Sequence, residues 1–204
     1  MGLLRNRPQT SAPPPQDPGG SDAELVAQAR QGDTRAFGLL YRRHVDAVYD
    51  FAAHRLAHRE DAEDATQTIF LRAAQSLQQC RDDDAFAGWL FAIARNVVTD
   101  KLRSRRAPTA PWTEDLEVAD PASPPDELAI QSTQRTELRE ARARCLNDAE
   151  RELYDLLVQD LTYAEIAVAL DRRINAVRTR YWRLLDKLRS CLGLLAKGGG
   201  HEAR

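Results

Sequence analysis

Proline is placed in this chain so that two long stretches are free of it: all ten fall within residues 1–20 and 107–125. Proline removes a backbone donor and its ring collides with the preceding helical turn, so its absence from 21–106 and 126–204 leaves both stretches open to continuous helix. Composition points the same way, with Ala, Leu and Arg dominant and strand formers and aromatics sparse. The pattern predicts an all-α fold of two small helical domains joined by a flexible linker. Its expected parts are a disordered Pro-rich tail over 1–20, a helical domain over 21–106 and a flexible acidic Pro-rich linker over 107–126. A second helical domain over 127–195 and a frayed tail over 196–204 complete it.

Capping chemistry locates the helix starts. Ser21-Asp-Ala-Glu24 and Thr162-Tyr-Ala-Glu165 fit the capping box, in which a hydroxyl and a carboxylate each accept from an unpaired backbone N–H. Asn147-Asp-Ala-Glu150 is a looser version, and Asp33 and Asp84 suit single N-caps. Helices are expected near 22–31, 34–56, 60–77 and 85–105, then 127–146, 149–158, 162–170 and 175–193.

Several function classes find no support. No apolar run approaches the roughly 20 residues of a membrane span, and Met1 to Gly20 is too polar for a signal peptide, so a cytoplasmic protein without membrane insertion is expected. Cys80, Cys145 and Cys191 are an odd count without CxxC spacing, which predicts reduced thiols rather than a disulfide or a zinc knuckle. His54 and His58 share one helical face at i, i+4, but no third ligand stands at a known spacing, so no metal and no cofactor is expected. Gly-rich phosphate loops, nucleophile elbows and His-base arrangements are lacking, so the chain is not expected to be an enzyme.

The net charge of −2 conceals segregation. Arg172 to Arg189 holds seven Lys or Arg against the single acid Asp186, while acids gather at Glu60 to Asp64 and Glu114 to Glu127. Local basic surfaces of this kind fit nucleic acid despite the neutral average. The basic segment follows a short helix and a tight polar turn, Asp171 to Asn175, as in a helix-turn-helix. At ~100° per residue, Val177, Tyr181, Leu184, Leu185 and Leu188 form one buried arc. Asn175, Arg178, Thr179, Trp182 and Arg183 lie opposite. These groups suit base edges and phosphates; an ordinary Arg-rich amphipathic helix is the alternative.

In the first domain, Ala62, Ile69, Ala73 and Leu77 form a buried stripe, with Glu60, Asp64, Gln67 and Leu71 opposite. An outward leucine on an acidic and amide face suits a basic protein partner, or is a stray residue on a solvated face. The next helix buries Phe86, Leu90, Ile93 and Val97. Trp89, Asn96 and Arg103 form a second line, with Arg95 and Thr99 beside it. Such a line can stack and bond single-stranded bases, although Trp89 fits equally as a core residue.

The stretch Asp61-Ala-Glu-Asp-Ala-Thr-Gln-Thr-Ile-Phe-Leu71 resembles the extracytoplasmic function (ECF, group IV) sigma factors of the sigma-70 family. Asp22-Ala-Glu-Leu-Val26, Gly32-Asp33, Ala36-Phe37, Trp89-Leu-Phe-Ala-Ile-Ala-Arg-Asn96, Tyr163-Ala-Glu-Ile-Ala167 and Val177-Arg-Thr-Arg180 extend the likeness over about 170 residues in the right order. The resemblance implies a sigma region 2 helical bundle over 21–106 and a sigma region 4 helix-turn-helix over 127–195. It further implies that Asp61, Asp64, Gln67, Phe70 and Leu71 dock on the clamp helices of the largest subunit of core RNA polymerase, with region 4 meeting the flap. The loop Gln78 to Asp84, with Trp89, Arg95, Asn96, Thr99 and Arg103, would read the −10 element as single strand, with a flipped base beside the loop, and aid promoter melting. Asn175, Arg178, Thr179, Trp182 and Arg183 would enter the −35 major groove. An anti-sigma factor is the implied holding partner. Thr179, Tyr181-Trp182 and Asn175-Ala176 depart from the family's commoner residues, which bears on the −35 sequence. A helix-turn-helix repressor or response-regulator output domain would need neither the acidic docking helix nor the Trp89–Asn96 line.

Overall fold

The computed structural model describes residues 20–56, 58–80, 83–106 and 145–191. The expected tails, the linker over 107–126 and nearly all of the expected helix over 127–146 lie outside the described residues. Within them every regular element is helical. The first half comprises α1 (Asp22–Arg30), α2 (Thr34–Arg55), α3 (Arg59–Ser76) and α4 (Phe86–Arg106); the second comprises α5 (Asp148–Leu157), α6 (Tyr163–Ala169) and α7 (Ile174–Cys191). Two 3-10 turns, Leu77–Gln79 and Asp83–Ala85, flank the approach to α4.

The caps form where the residue types demand them. Ser21 Oγ accepts from the Glu24 N–H at 3.3 Å while the Glu24 carboxylate accepts from the Ser21 N–H at 2.9 Å. Asn147 with Glu150, and Thr162 with Glu165, repeat this reciprocal pair. Asp33 accepts from the N–H groups of Arg35 and Ala36. Each such cap stabilises its helix by about 1 kcal/mol. Between α1 and α2 the chain reverses at Gly32, whose φ of 97° favours a residue without a Cβ. In the α6–α7 turn the left-handed residue is Asp171, with φ 51°, whereas Asn175 already sits inside α7. A short polar side chain tolerates that conformation where glycine is absent.

Leu25, Val26, Leu40, Val48, Phe51, Ile69, Phe86, Leu90 and Phe91 fill the first half, and Leu153, Leu156, Ile166, Val177, Leu184 and Leu188 the second. Full burial of each large side chain is worth about 1.5–3 kcal/mol. The two halves then join: their buried residues form one continuous cluster, and the most extensive contact between described helices is α4 on α6. Gly88 makes that approach possible. A Cβ at this position would stand 2.6 Å from the Glu165 carbonyl oxygen and 2.9 Å from its Cα.

A charged seam closes the edge of this contact. Arg95 Nε donates to Glu152 Oε1 at 2.8 Å, and Arg55 Nη1 lies 3.9 Å from carboxylate oxygens of both Glu152 and Asp155. Asp155 is fully buried, with His54 Nδ1 at 4.0 Å from its other oxygen. Such buried pairs gain little net stability against their desolvation, but a misplaced partner is costly, so they favour one particular packing.

The expectation of three reduced thiols does not hold. Cys145 and Cys191 are bridged, with their Cα atoms 6.4 Å apart, and Cys80 is buried in the first half. Sequence spacing could not show that the residue ahead of α5 and the last residue of α7 become neighbours when these helices pack. The bridge spans a separation of 46 residues, and in the chain-entropy model closing such a loop is worth about 4 kcal/mol.

Candidate nucleic-acid interface

The outer face of α7 is built as its phase requires. Val177, Leu184, Leu185 and Leu188 are buried, which turns Asn175, Arg178, Thr179, Trp182 and Arg183 outward together. Trp182 is 54% exposed, an indole held in solvent on the same side of the helix as the exposed Arg178 and Arg183. The face is pre-shaped by aromatic contacts. The Tyr163 ring meets Tyr181 at 5.5 Å, Tyr181 meets Trp182 at 5.3 Å, and the Arg178 guanidinium lies 5.9 Å over Tyr163. Burial first, then the neighbouring Tyr181, raises the Tyr163 hydroxyl pKa, so the ring presents a neutral face to Arg178. Thr179 donates to the Asn175 carbonyl at 2.9 Å, the usual placement of a mid-helix hydroxyl. Tyr163 stands in the sequence motif Tyr163-Ala-Glu-Ile-Ala167, but its contact with Tyr181 does not follow from the motif: the i, i+18 relation crosses a turn, and no periodicity reveals it.

On α4, Phe86, Leu90 and Val97 are buried as expected, and Ile93 is half-buried. Trp89 is half-buried: its ring lies 5.9 Å from Phe86, which in turn meets His44. It is therefore both attached to the core and reachable. Asn96 and Arg103 are exposed and Thr99 is half-buried, so one line along the helix faces outward. Arg95 is half-buried too, and here its guanidinium is engaged by Glu152 of the second half.

The expected docking face of α3 presents Asp64, Gln67 and Leu71, the last 59% exposed. Asp61 is half-buried and ion-paired to Arg105 and, at 3.8 Å, to Lys101, which also lies 3.5 Å from Asp64. Phe70 departs from expectation. It is 5% exposed, with its ring edge-on to Tyr41 at 4.7 Å, because it adjoins Ile69 and stands three residues before Ala73 on the inward arc. It backs the face, and Tyr41, 42% exposed, takes the surface position beside it. Tyr41 escaped the sequence reading, since it belongs to a different helix.

The loop before α4 is gripped from α1. Gln78 donates through its side chain to the Arg30 carbonyl, and the Arg30 guanidinium reaches back to both 3-10 turns. Asp22 anchors the other end of α1. Burial alone would raise its pKa, but the hydrogen bond and charge of His44 and then of Arg43 outweigh it, and the carboxyl is held below its usual value. Among the described residues no group of three or more His, Cys, Asp or Glu is arranged to hold a metal, and no helix is long and apolar enough to cross a membrane.

Known proteins share this architecture. The Sigma-70 region 2 family matches residues 40–107, which contain α3, α4 and the loop between them. SigM of Mycobacterium tuberculosis, an ECF RNA polymerase sigma factor, is 33% identical over 180 residues, 87% of this chain and 88% of its own length. BldN of Streptomyces coelicolor, another, is 33% identical over 171 residues, 81% of this chain but only 63% of BldN. Among solved structures, that of CnrH in complex with the cytosolic domain of CnrY superposes with a TM-score of 0.63 at 27% identity, covering 85% of this chain and 97% of that one. A helical first half matching region 2 and an alignment across both halves, together with the outward basic face of α7, settle the family. The chain belongs to the ECF sigma factors of the sigma-70 family, which direct promoter-specific transcription.

Proposed function

We propose that the chain works as follows. The α3 face of Asp61, Asp64, Gln67 and Leu71, backed by Phe70, docks on the clamp helices of core RNA polymerase, and the second half meets the flap. The loop before α4, with Trp89, Arg95, Asn96, Thr99 and Arg103, takes the −10 element as single strand and so aids melting. The outward residues of α7, Asn175, Arg178, Thr179, Trp182 and Arg183, enter the −35 major groove. Residues 21–106 and 127–195 act as regions 2 and 4, joined through 107–126. The protein is a cytoplasmic binding subunit with no chemistry of its own, and an anti-sigma factor holds it inactive, as CnrY accompanies CnrH in their solved complex.

The observation that carries this reading is the outward face of α7, where the exposed Trp182 shares its side of the helix with the exposed Arg178 and Arg183. Exposing an indole gives no folding benefit, whereas the edges in a major groove accept guanidinium groups and its thymine methyls accept apolar contact. Run-off transcription with core polymerase on a promoter library tests it. Arg183→Ala should weaken −35 binding by roughly 1–3 kcal/mol if the side chain reads a base. A footprint and transcript pattern unchanged by that substitution would remove α7 from the interface.

A further inference from the structure

We propose that Arg30, at the C-terminal end of α1, is the positioning residue of the −10 loop, fixing the two 3-10 turns so that α4 presents Trp89 to the strand. This rests on the −10 reading given above. The side chain is only partly exposed and its fork is fully employed. Its Nε donates to the Leu77 carbonyl at 3.3 Å, its Nη2 donates to the Cys80 carbonyl, and its Nη1 pairs with the Asp83 carboxylate at 2.7 Å. In return, Gln78 Nε2 donates to the Arg30 carbonyl at 3.0 Å. One guanidinium thus holds the start of the first 3-10 turn, the residue that follows that turn and the start of the second.

The arrangement is specific to arginine. A planar fork of five N–H donors serves two carbonyls and a carboxylate at once, whereas a lysine ammonium on its single nitrogen cannot span them. The Leu77 carbonyl also accepts from the Cys80 N–H at 3.2 Å, so the guanidinium reinforces the first turn there, while at Cys80, a residue only 1% exposed, it serves the carbonyl that leads on toward the second turn. The second 3-10 turn runs directly into α4 at Phe86, three residues before Trp89, whose ring already rests against Phe86. The Arg30 guanidinium is engaged by the loop itself, so its effect is on where the loop and Trp89 stand. Binding a base out of its stack costs a few kcal/mol, and only a site held in place recovers it.

The test uses the full chain assembled with core polymerase and a fluorescein-labelled forked promoter fragment, taken from a template that the wild-type holoenzyme selects. A second fork carries one changed −10 base on its non-template strand. Arg30→Met should lose on the order of tenfold in affinity for the selected fork, the scale of one charge-assisted hydrogen bond. Its preference over the altered fork should collapse, with core affinity unchanged. Arg30→Lys, which keeps the pair with Asp83, should retain affinity in part but still discriminate poorly. Unaltered discrimination by Arg30→Met, with or without weaker binding, overturns the proposal, and so does a loss of core affinity in step with the fork. Trp89→Ala is the separate control. If it binds both forks as wild type does, the −10 assignment itself fails and takes the Arg30 role with it; if it fails to bind while Arg30→Met is normal, only the Arg30 role is lost.

Discussion

Two glycines in helix interiors should respond to the same substitution with opposite signs. Gly38, within α2, has open space where a Cβ would lie, whereas at Gly88 in α4 a Cβ would press to 2.6 Å from the Glu165 carbonyl oxygen and 3.0 Å from Val168 Cβ. Alanine removes the backbone freedom that glycine loses on folding, a gain of roughly 1 kcal/mol in a helix. Gly38→Ala should therefore stabilise by about that amount. At Gly88 the same gain is offset by overpacking, typically about 1–3 kcal/mol, because ordinary contact requires α4 and α6 to move apart by several tenths of an ångström and the obstructing atoms are backbone. The two variants should differ by about 1–3 kcal/mol, which for a chain of this size is roughly 2–4 °C in Tm per kcal/mol. Urea titration followed by circular dichroism gives the difference directly. Intramolecular energy transfer between dyes on α2 and α7 reads whether the halves separate in Gly88→Ala. If both alanines stabilise equally and the transfer efficiency is unchanged, α4 does not lie against α6 in solution, and the account of the shared core fails.

Two further outcomes follow from other contacts. Cys145→Ser, or reduction of the oxidised protein, should destabilise the fold by up to about 4 kcal/mol, and the reduced wild type should match the serine variant; thermal melts with and without dithiothreitol check this. The Asp22 carboxyl is held below its ordinary value of 3.8 by His44 and Arg43. A depressed folded pKa contributes stability above the unfolded value that is lost as pH falls through the folded one, so Asp22→Asn should be less stable than wild type at neutral pH. The two curves should converge below about pH 3.8, as stability measured against pH will show.

Helix positions were legible because they depend on local chemistry. Ser21, Asp33, Asn147 and Thr162 each cap the helix that their spacing announced, and the inward arcs of α3 and α7 follow 100° periodicity. The outward sets were correspondingly visible: every α7 residue expected to face DNA is exposed. What lay beyond reach depends on contacts between helices distant in sequence. Phe70 illustrates the limit on one element, where a motif match placed it at the surface and its phase placed it inside. Arg30, Tyr163 and Gly88 illustrate it across elements. Each looks ordinary in its own helix and acquires its role from a partner at least 15 residues away. The disulfide belongs with them, since Cys145 and Cys191 meet only after α5, α6 and α7 have packed.

The shared core sets a geometric condition on the proposed function. Elements named for positions −10 and −35 are about 25 base pairs apart, some 85 Å at 3.4 Å per pair, while a folded body of this size is only ~40 Å across. With the −10 and −35 faces as proposed, a molecule with α4 seated on α6 would not reach both on extended duplex, and promoter engagement would require that contact to part. Arg95, a proposed −10 residue, is held by the Glu152 carboxylate at 2.8 Å, and a nucleic-acid phosphate offers the same guanidinium an equivalent bidentate anion. Gly88, without a Cβ, lets α4 close on the backbone of Glu165, where any larger side chain would hold the helices apart. On the proposed reading, polymerase docking and strand capture would act against this contact, which Gly88 permits by close approach and Glu152 holds through Arg95.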